Sequence, residues 1–140
     1  FFTDKISLKG DFNIINALKN DQYGPLPSIS PVFLNLFLNY EKKKWFASLR
    51  YQYSGSKNPE EYSLGGEDGL EETPIISESQ GIYAGTPAWS ELSFLSQFSW
   101  NENGKITIGL ENIFDVHYRS FASGVSAPGR NLRLGLNLKF

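Results

Sequence analysis

The side chains able to do chemistry crowd into two stretches. Residues 55–88 hold Glu60, Glu61, Glu67, Asp68, Glu71, Glu72 and Glu78 against Lys57, a local net charge of −6 that leaves +4 for the remainder. Within them, Gly65-Gly66-Glu67-Asp68-Gly69 offers carboxylate and carbonyl oxygens in a pliable turn, the ligand type that Ca²⁺ takes. The spacing is not that of a Ca²⁺ hand, and the same residues describe a solvated acidic loop. Tyr62 and Tyr83 add rings that could stack on an organic molecule, so Tyr62, Glu67, Asp68 and Tyr83 are the ligand-loop candidates. Connections beyond about 15 residues are usually functional or unstructured. No strand alternation is visible across this one.

The second stretch contains Asp115, His117 and Ser120, the residue types of a nucleophile, a base and an orienting acid. All three lie within one short segment, with no elbow to present the serine, so catalysis is not expected. One histidine and no cysteine leave zinc without a ligand set. The residues call for neither a resident metal nor a cofactor.

Composition removes further classes. Thirteen basic and 15 acidic side chains give a net charge of −2, with no basic surplus to offset nucleic-acid phosphates. The absence of cysteine excludes a disulfide scaffold. No methionine is present, which suggests a processed product or a piece of a longer chain. Phe1-Phe2-Thr3-Asp4 resembles no signal peptide, and no apolar run approaches the length of a membrane helix. Mean hydropathy is −0.32, but a membrane β-barrel is half polar by construction and keeps an ordinary mean.

The elements that must position these residues are strands. Asn131-Leu132-Arg133-Leu134-Gly135-Leu136-Asn137-Leu138-Lys139-Phe140 is apolar at every even position and polar or Gly at every odd one. That period of two has no helical component. It recurs in Ile6-Leu8-Phe12-Ile14, Leu34-Leu36-Leu38-Tyr40, Trp45-Leu49-Tyr51-Tyr53, Leu92-Phe94-Phe98-Trp100 and Ile106-Ile108-Leu110. Six antiparallel strands are predicted near 5–18, 32–41, 44–54, 89–100, 105–115 and 130–140. Long loops fall near 19–31, 55–88 and 117–129, while Glu41-Lys42-Lys43-Lys44 and Asn101-Glu102-Asn103-Gly104 are tight turns.

Strand length and loop asymmetry favour a membrane. Ten residues at about 3.3 Å each, tilted near 40°, span roughly 25 Å of height, the apolar band of an outer-membrane barrel. The polar face carries Lys5, Lys9, Asp11, Arg50, Glu91, Glu111, Arg133 and Lys139, which suits a wet lumen better than a dry core. Short turns on one side and long loops on the other match the periplasmic and outer ends of such barrels. Aromatics near the run ends, among them Tyr40, Trp45, Trp100 and Phe140, suit an interfacial girdle. Six strands would leave two open edges, so a larger barrel is expected.

The last third resembles the C-terminal end of TonB-dependent outer-membrane receptors. The resemblance rests on Asn112, Phe114, Asp115 and Tyr118, then Pro128-Gly129-Arg130-Asn131, then the alternating strand that ends in Phe140. Pro25-Leu26-Pro27-Ser28-Ile29-Ser30-Pro31 resembles the family's proline segment leading into an earlier strand, with Ser30 where a second proline is common. It implies an all-β fold, residues 1–140 forming the final six strands of a barrel of roughly 22, with the plug domain and the TonB-contacting segment lying upstream. The motif residues would be structural: Pro128 fixes φ, Gly129 permits positive φ, and Asp115 could pair with Arg130 across the last hairpin. Arg133, Gly135, Leu138 and Phe140 resemble the signal read by the barrel-assembly machinery, with Gly135 leaving room for close backbone approach.

The implied function is uptake of a scarce nutrient, such as a ferric siderophore, haem, cobalamin or a glycan, across the cell outer membrane of a Gram-negative bacterium. The implied partners are the bilayer with its lipopolysaccharide, the rest of the barrel, the plug, the assembly machinery, TonB and the ligand. A passive channel barrel, or a surface β-domain that binds glycan, are the alternatives.

Overall fold

The computed structural model describes residues 5–16 and 24–140. Among these residues eight strands follow one another: β1 (Ile6–Asn13), β2 (Phe33–Lys42), β3 (Trp45–Ser54), β4 (Ile75–Ser77), β5 (Ile82–Tyr83), β6 (Trp89–Asn101), β7 (Gly104–Glu111) and β8 (Asn131–Leu138). Six of them form one antiparallel sheet in the order β1-β2-β3-β6-β7-β8, and β4 pairs with β5 in a small separate hairpin. Sequence neighbours are therefore sheet neighbours, apart from the step over the hairpin.

The register puts one kind of residue on each face. Leu8, Leu38, Leu49 and Phe94 lie in one cross-strand row, continued by Leu110 and Leu132. The facing row runs Asp11, Asn35, Gln52 and Glu91. A one-residue slip would exchange the faces, so the alternation fixes the register.

Burial is inverted relative to a water-soluble sheet. Leu134 and Leu136 on the apolar face are 71% and 65% exposed, and Leu8, Leu38, Phe94, Ile106 and Ile108 are exposed as well. Glu91, Ser93, Ser48 and Ser54 on the polar face are buried. Among the described residues Tyr62 is the one buried large hydrophobic side chain, and it lies in a loop.

Strand ends differ from expectation where a partner or a dihedral intervenes. β1 stops at Asn13 because β2 begins at Phe33, its partner. The expected strand positions 17 and 18 and loop positions 19–23 lie outside the described residues. β7 ends at Glu111 because Asn112 turns to a φ of +48°, short of the expected limit near 115. β8 ends at Leu138, although the Lys139 N–H still donates to the Asn103 carbonyl. Residues 55–88 are more ordered than their composition suggests. They hold the β4–β5 hairpin and two single turns of 3₁₀ helix, Pro59–Glu61 and Leu70–Glu72. Runs of two or three residues are too short to show a period.

Candidate functional site

The long connections pack together at one end of the sheet, and an ion pair joins them. Lys57 lies in a bridge with Thr86 that closes the base of the 55–88 loop. Its Nζ donates to Asp68 Oδ2 at 3.2 Å and to the Ile29 carbonyl at 2.7 Å. Asp68 Oδ1 accepts the Ser28 N–H at 2.6 Å, and Oδ2 also accepts the Ser63 N–H at 3.3 Å. The Lys57 ammonium lies 4.0 Å from the Phe121 ring centroid and 5.0 Å from that of Tyr62. Segments near 28, 57–68 and 121 are thus held by one buried cation. Burial alone would push the Asp68 carboxyl up, but the two backbone N–H groups and Lys57 outweigh it and hold it below the ordinary carboxylate range.

This corrects the reading of the acidic turn. Asp68 is 1% exposed and already answered by Lys57, so it is not an open cation ligand. Tyr62, 3% exposed, bonds Thr86 Oγ1 at 2.6 Å and meets Phe121 edge-on, so its ring holds the loop instead of facing a ligand. Burial pushes the Tyr62 phenol up, against the opposing bond to Thr86. Glu67 stays exposed and accepts the Ser63 hydroxyl at 3.0 Å. Tyr83 is half-buried on β5. Among the described residues no group of three His, Cys, Asp or Glu side chains is placed to hold a metal ion.

The motif residues of the last connection form a second structural unit. Asn112 Nδ2 donates to the Val116 carbonyl at 2.8 Å and to the Pro128 carbonyl at 3.3 Å, while Oδ1 accepts the Val116 N–H at 2.9 Å. The expected Asp115–Arg130 contact forms through the backbone: Asp115 Oδ1 accepts the Arg130 N–H at 2.7 Å. Gly129 has no positive φ; a Cβ there would meet Asp115 Oδ1 at 2.6 Å and press on the carboxylate that accepts the Arg130 N–H. Asn131 Nδ2 bonds Glu111 at 2.9 Å, and Arg133 lies 3.4 Å from the same carboxylate on the polar face. Phe114 is exposed.

At the end of β8, Leu138 and Phe140 are exposed. A Cβ at Gly135 would make ordinary contact with Thr107 at 3.5 Å, so crowding does not require glycine there.

Between the 55–88 and 112–130 connections lies a cavity of about 440 Å³. Thr73, Pro74 and Ile75 line one side, and His117, Tyr118 and Ser120 the other. Trp89, at the start of β6, stacks on Tyr118 with centroids 3.9 Å apart and also lines the space. Burial pushes the Tyr118 phenol up. Arg119 closes the wall by donating to the Glu72 carbonyl, with the Glu72 carboxylate 3.6 Å away. His117 and Ser120 therefore serve a cavity wall, while Asp115 is committed to Arg130. None of the four ligand-loop candidates lines this cavity. Apart from Trp89, His117, Tyr118 and the Glu72–Arg119 pair, its walls are largely proline, alanine, serine and threonine, types that carry no signal in sequence.

Among solved structures, the copper transporter OprC is similar, with a TM-score of 0.75 and 19% identity over 100% of this chain. At that identity the likeness shows the fold: an antiparallel all-β sheet. The chain spans 22% of the length of that protein. No protein-family profile and no curated protein sequence matches it.

Proposed function

We propose that this chain forms six strands of the β-barrel of an outer-membrane, TonB-dependent importer. The observation that carries the reading is the inverted burial. Large apolar side chains on one sheet face stay exposed, among them Leu8, Leu38, Phe94, Ile106, Ile108 and Leu134, while Glu91, Ser93, Ser48 and Ser54 on the other face are buried, which suits lipid outside and a wet lumen inside. The open edges of β1 and β8 would pair with further strands, because lipid offers no partners to unpaired backbone groups. Likeness to a transporter fold supports the same assignment.

In this reading the tight turns face the periplasm, and the packed long connections face outward, where ligand is captured. The plug and the TonB contact belong to upstream sequence. Arg133, Gly135, Leu138 and Phe140 would serve the assembly machinery, and Phe140, exposed beyond β8, is available for that contact.

Replacing residues 55–88 with a short Gly/Ser linker in the full-length protein tests the reading. Membrane insertion should persist, because exposed loops cost little to close and do not hold the strands, while energy-dependent uptake falls. Uptake that survives dissipation of the inner-membrane proton gradient would point to a passive channel instead.

A further inference from the structure

The geometry points to the cavity between the 55–88 and 112–130 connections as a binding site for an uncharged organic ring system. The inference rests on the importer reading and names the chemistry of its cargo.

Charge is the first argument. The two formal charges at the wall, Glu72 and Arg119, already face each other across it. With these two paired to each other, a charged guest would lie unpaired against apolar surface, which is unfavourable.

The wall itself is the second. Pro74, Ile75, Pro87 and Ala88 supply apolar surface beside the stacked rings of Trp89 and Tyr118. A volume of about 440 Å³ lies within the small-ligand range.

The donor set also argues against a metal cargo held here. The chain has no Cys or Met to hold Cu⁺, and among the described residues no three His, Cys, Asp or Glu side chains are grouped to hold a metal ion.

The test titrates 2-naphthol, a phenol that stays uncharged near neutral pH, into the full-length protein in lipid nanodiscs by calorimetry, with empty nanodiscs subtracted. Naphthalene-2-sulfonate serves as the charged counterpart, and Cu²⁺ as the metal. Saturable 2-naphthol binding is expected, at least tenfold tighter than the sulfonate, with no Cu²⁺ binding that depends on this cavity. Ala88→Trp and Ser126→Trp, each filling the space from a different side, should abolish 2-naphthol binding while insertion is unchanged. No saturable binding, equal or tighter sulfonate binding, or binding untouched by both fillings would overturn the inference. An inserted, energy-dependent importer with any of those results leaves the importer reading standing. Failure to insert at all sinks both.

Discussion

Lys57 Nζ and Asp68 Oδ2 lie 3.2 Å apart, both side chains almost fully buried, in a loop where the other acidic side chains are solvated or half-exposed. Removing one member of such a pair strands the other charge, at a cost of about 3–5 kcal/mol. Asp68→Asn should therefore open the 55–88 connection to protease while the strands stay resistant. Lys57 is the one tryptic site in 55–88, so limited trypsin digestion with cleavage after Lys57 followed by mass reads this directly. Cuts no faster than in the parent protein would show that the pair does not hold the loop.

The same pair predicts a dependence on pH. The Asp68 carboxyl is held below its ordinary value of 3.8 in the folded loop. A group lowered on folding stabilises fully above its free value, and the contribution fades as pH falls through the lower, folded one. Digestion by pepsin across that acid range should show the loop opening below the free carboxylate value. Asp68→Asn should remove that step. A loop that opens only on raising the pH would contradict the assignment.

Asn112 closes the last connection with one amide and a positive φ. Asn112→Gly keeps the φ but loses the side-chain bonds, and Asn112→Ala loses both. About 1–3 kcal/mol is expected for unsatisfied buried groups, with Ala worse than Gly by roughly the 1 kcal/mol order of left-handed strain. Urea unfolding in micelles would rank the pair, and equal losses would show that φ does not matter there.

The strands were legible because alternation records which face each residue takes, and Leu8 and Asp11 announce opposite faces without help from any neighbour. The Lys57–Asp68 ion pair was not legible. It joins Ser28, Lys57, Asp68 and Phe121, residues brought together only by packing of three loops, and its aspartate looks like six other acids around it. The cavity was hidden for a related reason: Pro74, Ala88 and Ser126 become a wall only when two connections meet. His117, Tyr118 and Ser120 stand out in the sequence, but nothing in their spacing says that they meet Pro74 and Ile75 of the other connection.

Gly104 lies under the Trp100 ring, and a Cβ built there would overlap the indole. Gly104→Ala should displace Trp100 at the tight-turn end, at about 1–3 kcal/mol for overpacking. A shifted Trp emission and a lower urea midpoint are expected. Gly104→Ala combined with Trp100→Leu should recover part of the loss, and no recovery would place the strain elsewhere.

The sidedness of β8 gives the most direct test of the membrane reading. Leu136 sits on the apolar face opposite Ile106, and the next residue, Asn137, sits on the polar face opposite Lys105. The two Cα atoms are adjacent in the chain, so propensity and strand position are nearly matched between them. In water both exposed positions would tolerate arginine. Facing lipid, Leu136→Arg costs about 2–4 kcal/mol near the midplane and less toward an interface, while a lumen position tolerates the charge. Leu136→Arg should therefore lower the unfolding free energy of the full-length protein in vesicles well below that of Asn137→Arg. Measuring both in detergent micelles and in bilayers separates lipid contact from a packing effect, because the gap should widen in the bilayer. Equal costs in bilayers would mean that this face does not meet lipid.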